Sequence, residues 1–196
     1  MLEAALRADA PVQDFSEVLH GRRSVRQYFP DPVPRRTLEA LIQAATLTPS
    51  AMNEQPWHFT VVTDKAVLDS ISQNAKAHML ARGRAMPGHM RSMLQDGSFN
   101  IFYRAPALVV ISAPEATAWK TEDCALAAQN LMLAAYARGY GTCWIGFAQE
   151  WLNTKQGAAA IDLPSGMRAV APIIVGRPTA LPDPVARRAP AIRWIG

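Results

Sequence analysis

At 196 residues the chain is long enough for one domain whose core needs no disulfide or metal staple. A hydrophobic fraction of 49% against 18% charged residues excludes a disordered or fibrous chain, and no run reaches the roughly 18 apolar residues of a membrane span. The formal net charge of +4 permits nucleic-acid binding. The basic residues, however, gather at Arg22–Arg26, Arg82–Arg91 and Arg187–Arg193 rather than along one stripe with interleaved aromatics. A small anion held by the first and last clusters explains them at least as well.

The start, Met1-Leu2-Glu3, has no basic-then-apolar leader pattern, so the expectation is a soluble cytoplasmic protein without a membrane or nucleic-acid partner. Cys124 and Cys143 lack CxxC spacing and read as reduced and structural. His20, His58, His78 and His89 show no HxxxH or HExxH spacing, so no metal site is expected.

Residues 1–13 read as an arm without a clear period. Phe15 to His20 reads as a short helix closed by Gly21, and Arg22-Arg23-Ser24-Val25-Arg26 follows where the chain leaves it. In an extended pentapeptide Arg22, Ser24 and Arg26 point to one side and Arg23 to the other. Forked guanidinium donors beside a hydroxyl suit a phosphate, whereas the plain alternative is a solvated basic turn. A proline-punctuated connector, Tyr28 to Pro34, leads into a helix with Leu38, Leu41, Ile42 and Ala45 at helical spacing.

Pro49 to Pro56 is a polar loop, and Trp57 to Val62 a strand in which Trp57 and Phe59 read as core residues. Asp64 caps the next helix, which carries Val67, Leu68 and Ile71. From Ala75 to Asn100 the pattern decays into a Met- and Arg-rich run interrupted by glycine and proline, read as a lid of mobile helical segments or as a peripheral helix pair. Ala107 to Ser112 is an apolar strand. Asp123 opens a helix to about Arg138 that is apolar all round, and such a helix is buried on all sides, in the core or in a subunit interface. Thr142 to Phe147 reads as a short strand or loop, 150–160 as a further helix, and Ala169 to Val175 as a strand. The proline-rich tail ends in a strand-like Ala191–Ile195, a feature that suits crossing to a neighbouring subunit. There is no repeat or linker, so 1–196 is one domain.

Four strings recur in order: Arg22-Arg23-Ser24-Val25-Arg26; Pro49 to Phe59; Gly139-Tyr140-Gly141-Thr142-Cys143-Trp144-Ile145-Gly146; and Val175-Gly176-Arg177-Pro178 with Arg188-Ala189-Pro190. Together they resemble the nitroreductase family of FMN-dependent oxidoreductases over about residues 15–195, with 75–105 the variable, lid-like part. The resemblance implies an α+β fold with a mostly antiparallel sheet flanked by helices, in an entwined homodimer with FMN at the subunit interface. It implies that Arg22, Arg23, Ser24, Arg26 and Arg188 hold the phosphate and ribityl chain, with Arg26 at the flavin N1–C2=O edge. Pro49, Ser50, Ala51, Met52, Asn53 and Gln55 would belong to the loop that reaches the FMN of the other subunit. Ile145 and Gly146 would offer backbone N–H to flavin N5, at a place where the family often has glutamate instead of Ile145.

The activity so implied is hydride transfer from NADH or NADPH, via flavin N5, to a second acceptor such as a nitroaromatic, quinone or enone in a ping-pong cycle. No side chain acts as an essential acid or base, and the lack of a GxGxxG after a strand fits a nicotinamide that stacks on the flavin. The alternatives are a specialised flavin dehydrogenase, dehalogenase or flavin-destroying enzyme of the same superfamily, or a non-enzymatic phosphate or RNA binder.

Overall fold

The structure is a computed structural model and describes residues 14–82 and 86–196. The N-terminal arm expected over 1–13, and Gly83 within the lid-like run, lie outside the described residues. Four strands, β1 (His58–Val62), β2 (Ala107–Pro114), β3 (Gly141–Trp144) and β4 (Met167–Gly176), form one antiparallel sheet in the order β1-β2-β4-β3. The α+β expectation holds in this sheet and in the helices on its two faces.

β2 alternates between two cores, as a period of two requires. Leu108 and Val110 face a cluster to which α3 (Lys65–Ala81), α4 (Gly88–Gln95) and α6 (Gly146–Leu152) contribute, with α7 (Lys155–Ala160) packed on α6. Ala107, Val109 and Ile111 face a second cluster under α2 (Arg35–Ala45) and α5 (Lys120–Tyr136). Trp57 and Phe59 pack on this second cluster, half-buried, as core residues. The short α1 (Phe15–Gly21) starts at Asp14, whose carboxylate accepts the Ser16 N–H, and packs against α5.

Asp64 caps α3 by accepting the N–H groups of Ala66 and Val67, as expected. Elsewhere the elements differ from the sequence reading. α3 does not decay at Ala75 but runs to Ala81, because Ala75 and Lys76 turn inward. The lid-like run contributes core: Leu94, Ile101 and Phe102 are buried. Residues 150–160 hold α7 and only the end of α6, with a break at Asn153 and Thr154, and α6 already begins at Gly146. α5 starts at Lys120, three residues before Asp123. It is not buried on all sides in a single chain. Cys124, Ala127, Ala128, Leu131 and Ala135 face the core while Leu126 is 45% exposed, which leaves part of an apolar circumference open. The tail forms no strand; residues 179–196 are exposed, with Trp194 at 88%. Both thiols are free and buried, and burial pushes Cys124 up to about 12.

Candidate active site

The basic cluster sits where α1 ends. Arg22 leaves the helix with φ −57° and ψ 134°, and Ser24 then makes a parallel bridge to Thr142 on β3. The Val25 N–H donates to the Thr142 carbonyl at 2.9 Å, and Val25 is buried against Gly141, where a Cβ would stand 2.7 Å from its side chain. Further along, the Phe29 N–H donates to the Arg177 carbonyl, and the Thr179 N–H to that of Gln27. The cluster is thereby stitched to the sheet by backbone.

Arg22, Arg23, Ser24 and Arg26 all line one cavity of about 500 Å³ closed by the tail residues Pro182 to Val185 and Arg187. The alternation expected for an extended pentapeptide fails at Arg23, since strand-like pairing begins only at Ser24. Arg23 folds back, and its Nη1 donates to the carbonyls of His20 at 2.6 Å and Arg22 at 3.0 Å. This covers the negative end of α1, which would otherwise oppose an anion. The Nε–H groups of Arg22 and Arg23 are buried and have no acceptor among the described residues. Buried donors of this kind are costly unless something accepts from them, so the cavity fits an anion with several acceptor oxygens. Of the adjacent tail arginines Arg187 and Arg188, Arg187 lines the cavity and Arg188 does not. Arg177 is exposed, and its carbonyl serves the backbone.

Arg26 extends the cavity towards β3. Its guanidinium stands 5.8 Å from the Tyr103 ring centroid, within cation–π range. It also lies close enough to Cys143 to oppose the upward push of burial on that thiol, as does a hydrogen bond from Ser24. The Tyr28 hydroxyl, donating to the Val25 carbonyl at 2.7 Å, is pushed upward by its burial and holds the bend.

The polar loop is built differently. Ser50 is followed by a 3₁₀ turn, Ala51–Asn53, and Met52, Asn53 and Gln55 have φ of 51°, 56° and 49°. None is glycine, so Met52 and Gln55 carry strain, while Asn53 tolerates the left-handed region better. Ser50 Oγ accepts the Gln55 N–H at 3.0 Å, and Gln55 Nε2 donates to Asn53 Oδ1 at 3.1 Å. Gln55 therefore supports the loop. Met52 is 91% exposed. Pro49, Ser50, Ala51, Met52, Asn53 and Gln55 do not line the arginine cavity of their own chain.

At the β3–α6 junction the Ile145 N–H is already given to the Pro172 carbonyl at 2.8 Å, and the Ile145 side chain is buried in the core. Of the two backbone donors expected there, only Gly146, exposed at the start of α6, remains. Gly146 also lines a second cavity of about 280 Å³ with Met79, Met86, Phe147 and Gln149, rimmed by the Arg82–Glu150 ion pair at 3.2 Å. Met79, Arg82 and Met86 of this lining come from the run 75–105.

Sequence reading missed Asp123 as a site residue. Its Oδ1 accepts the Ala51 N–H and its carbonyl accepts the Trp57 Nε1–H, both at 3.0 Å. Among the described residues no group of histidine, cysteine, aspartate and glutamate could hold a metal ion, and no helix is long and apolar enough to cross a membrane.

Comparison with known proteins places this geometry. The chain is 26% identical over 171 residues, 85% of it and 87% of the relative, to a protein of Archaeoglobus fulgidus whose name pairs NADH dehydrogenase with NAD(P)H nitroreductase. It is 29% identical over 174 residues, 80% of it and 78% of the relative, to the 5,6-dimethylbenzimidazole synthase of Rhodospirillum rubrum. An FMN-bound nitroreductase structure from Bacteroides fragilis superposes with a TM-score of 0.82 at 26% identity, covering 94% of this chain and all of that one. The model of the Nitroreductase family matches residues 19–177, from the end of α1 through the basic cluster and the polar loop to the residue after β4, and by that match the chain belongs to the nitroreductase family.

Proposed function

We propose that the protein is an FMN-dependent oxidoreductase that takes hydride from NADH or NADPH and delivers it to a second, flat acceptor such as a nitroaromatic, quinone or enone. The observation that carries this is the arginine cavity, whose buried and unpartnered N–H donors lie within the family match. When bound, FMN supplies hydride acceptance and release at its N5. The residues of this chain bind and orient it. Arg22, Arg23 and Ser24 hold the phosphate with Arg187, which takes the place that the resemblance gave to Arg188. Arg26, at the β3 side of the cavity, sets a fixed positive charge at the N1–C2=O edge. The Gly146 N–H is the donor towards N5. The soft side chains Met79, Met86 and Phe147 line the space for an acceptor, and adaptable sulfur-bearing surface suits varied flat molecules.

The polar loop stands apart from the cavity of its own chain and is supplied to the cofactor of a second copy. The open part of α5 and the unpaired tail, which carries Ile192, Trp194 and Ile195 exposed, support a homodimer.

The test begins with the colour and the released cofactor. The purified protein is expected to be yellow and to release FMN rather than FAD. NADH or NADPH should bleach it, and a panel of acceptors should restore the colour. Arg187→Ala should weaken FMN retention more than Arg188→Ala. A colourless protein that FMN does not bind, or one that releases FAD, refutes the reading. One second reading is a specialised member of the same superfamily that consumes its flavin. FMN recovered intact after many turnovers excludes it.

A further inference from the structure

We infer that Asp123 is a positioning residue that holds the Ser50–Gln55 turn in its cofactor-facing conformation, an inference that rests on the function proposed above. Three of the four residues from Met52 to Gln55 are left-handed and none is glycine, so the turn does not hold this shape unaided. The ties inside it, Ser50 Oγ to the Gln55 N–H and Gln55 to Asn53, link parts of the turn to one another but not to the fold.

Asp123 supplies the outside hold. Its carboxylate takes the Ala51 N–H at the entry to the turn, and its carbonyl takes the Trp57 indole N–H just after the exit. Both bonds come from one residue in the first turn of α5, where the helix N-terminus favours a carboxylate. Asp123 is 2% exposed, and its Oδ2 is buried without a partner among the described residues. A half-satisfied buried carboxylate is a poor choice for packing alone. The side-chain bond that matters to the turn needs only one acceptor oxygen, which asparagine also provides.

The experiment compares Asp123→Ala and Asp123→Asn, with Leu131→Ala as a control on the same helix, buried and remote from the turn. FMN dissociation constants are measured by fluorescence titration, and hydrogen exchange of the 50–57 amides is followed in FMN-free protein. Asp123→Ala is expected to weaken FMN binding by about tenfold and to speed exchange at Ala51 by a similar factor, the scale of one charge-assisted hydrogen bond. Asp123→Asn, which keeps the acceptor, should stay within about threefold of wild type in both. Leu131→Ala should lower the melting temperature without singling out the turn. If Asp123→Ala leaves both readouts unchanged, or if Leu131→Ala at matched loss of stability weakens FMN equally, Asp123 is merely structural and the inference is wrong. Failure of wild-type protein to bind FMN overturns the proposed function, and the positioning role falls with it; unchanged exchange in Asp123→Ala overturns the hold alone.

Discussion

The basic cluster and the polar loop are both rich in hydrogen-bonding groups, and they are held by opposite means. Ser24 to Phe29 is tied down by backbone bonds to Thr142 and Arg177, with Val25 sunk against Gly141, so the hold does not depend on the side chain of its one arginine, Arg26. Ser50 to Gln55 has left-handed backbone, exposed tips and an anchor made by one side chain from another element. Backbone stitching tolerates changes in the side chains it displays. A side-chain anchor makes a loop dependent on a residue that never touches the ligand.

The largest expected effect comes from breaking the stitched side at its seam. Gly141→Val places side-chain atoms into Val25, whose own atoms stand 2.7–2.8 Å from the position of a new Cβ. Overpacking of this kind costs about 1–3 kcal/mol, and here it also pries Ser24 from Thr142. Chemical denaturation should show the loss, and FMN retention should fall with it. An unchanged midpoint together with full FMN occupancy would mean that the cluster does not depend on the bridge.

A more confined effect, felt in the flavin chemistry and not in the stability of the fold, sharpens the division of labour within the stitched region. Arg26→Ala should lower the midpoint potential of the bound flavin, because the positive charge favours the reduced, anionic form, while binding of oxidised FMN suffers less. A charge-assisted contact is worth roughly 1–3 kcal/mol, enough to slow reduction by NAD(P)H by about tenfold to a hundredfold if the transition state feels all of it. Redox titration decides: FMN loss with an unshifted potential makes Arg26 a phosphate ligand instead. The smallest effect lies in the loop. Met52→Gly relieves left-handed strain of about 1 kcal/mol but loosens the unfolded chain by about 0.5–1 kcal/mol. Stability should therefore move by less than about 1 kcal/mol in either direction, and FMN affinity should hold. A large loss of affinity would show that the exposed Met52 side chain is itself a ligand contact.

What the sequence made legible follows from locality. Asp64 as a cap, the helix after Pro34, the apolar β2 and the basic cluster all announce themselves within a few residues. The end of α3 did not, because Lys76 disguises a core position as a surface one: its Nζ donates to the carbonyls of Asp96 and Phe99 at 2.6 and 2.7 Å while its stem is buried. Asp123 looked like a helix opener because acidic residues favour first turns, and its partners stand 72 and 66 residues away. The Ile145 amide was expected to be free, yet Pro172 on the neighbouring β4 accepts from it. Arg187 and Arg188 are adjacent in sequence, and only the path of the tail separates them. The strand-like Ala191–Ile195 has no partner within one chain, and a strand without a partner does not form.

The strand order carries a consequence for synthesis. β4, the last of the four strands to leave the ribosome, belongs between β2 and β3. Until residue 176 has emerged, β2 and β3 cannot be joined, and one edge of the most deeply buried strand stays open. An apolar strand with an unpaired edge is a template for the wrong neighbour. The nascent chain passes through this exposed stage for as long as roughly 60 codons take, some seconds at about 5–20 residues per second. Slowed translation across the α5–α7 coding region should lengthen the exposure and lower the soluble yield, whereas slowing before β2 should leave it unchanged.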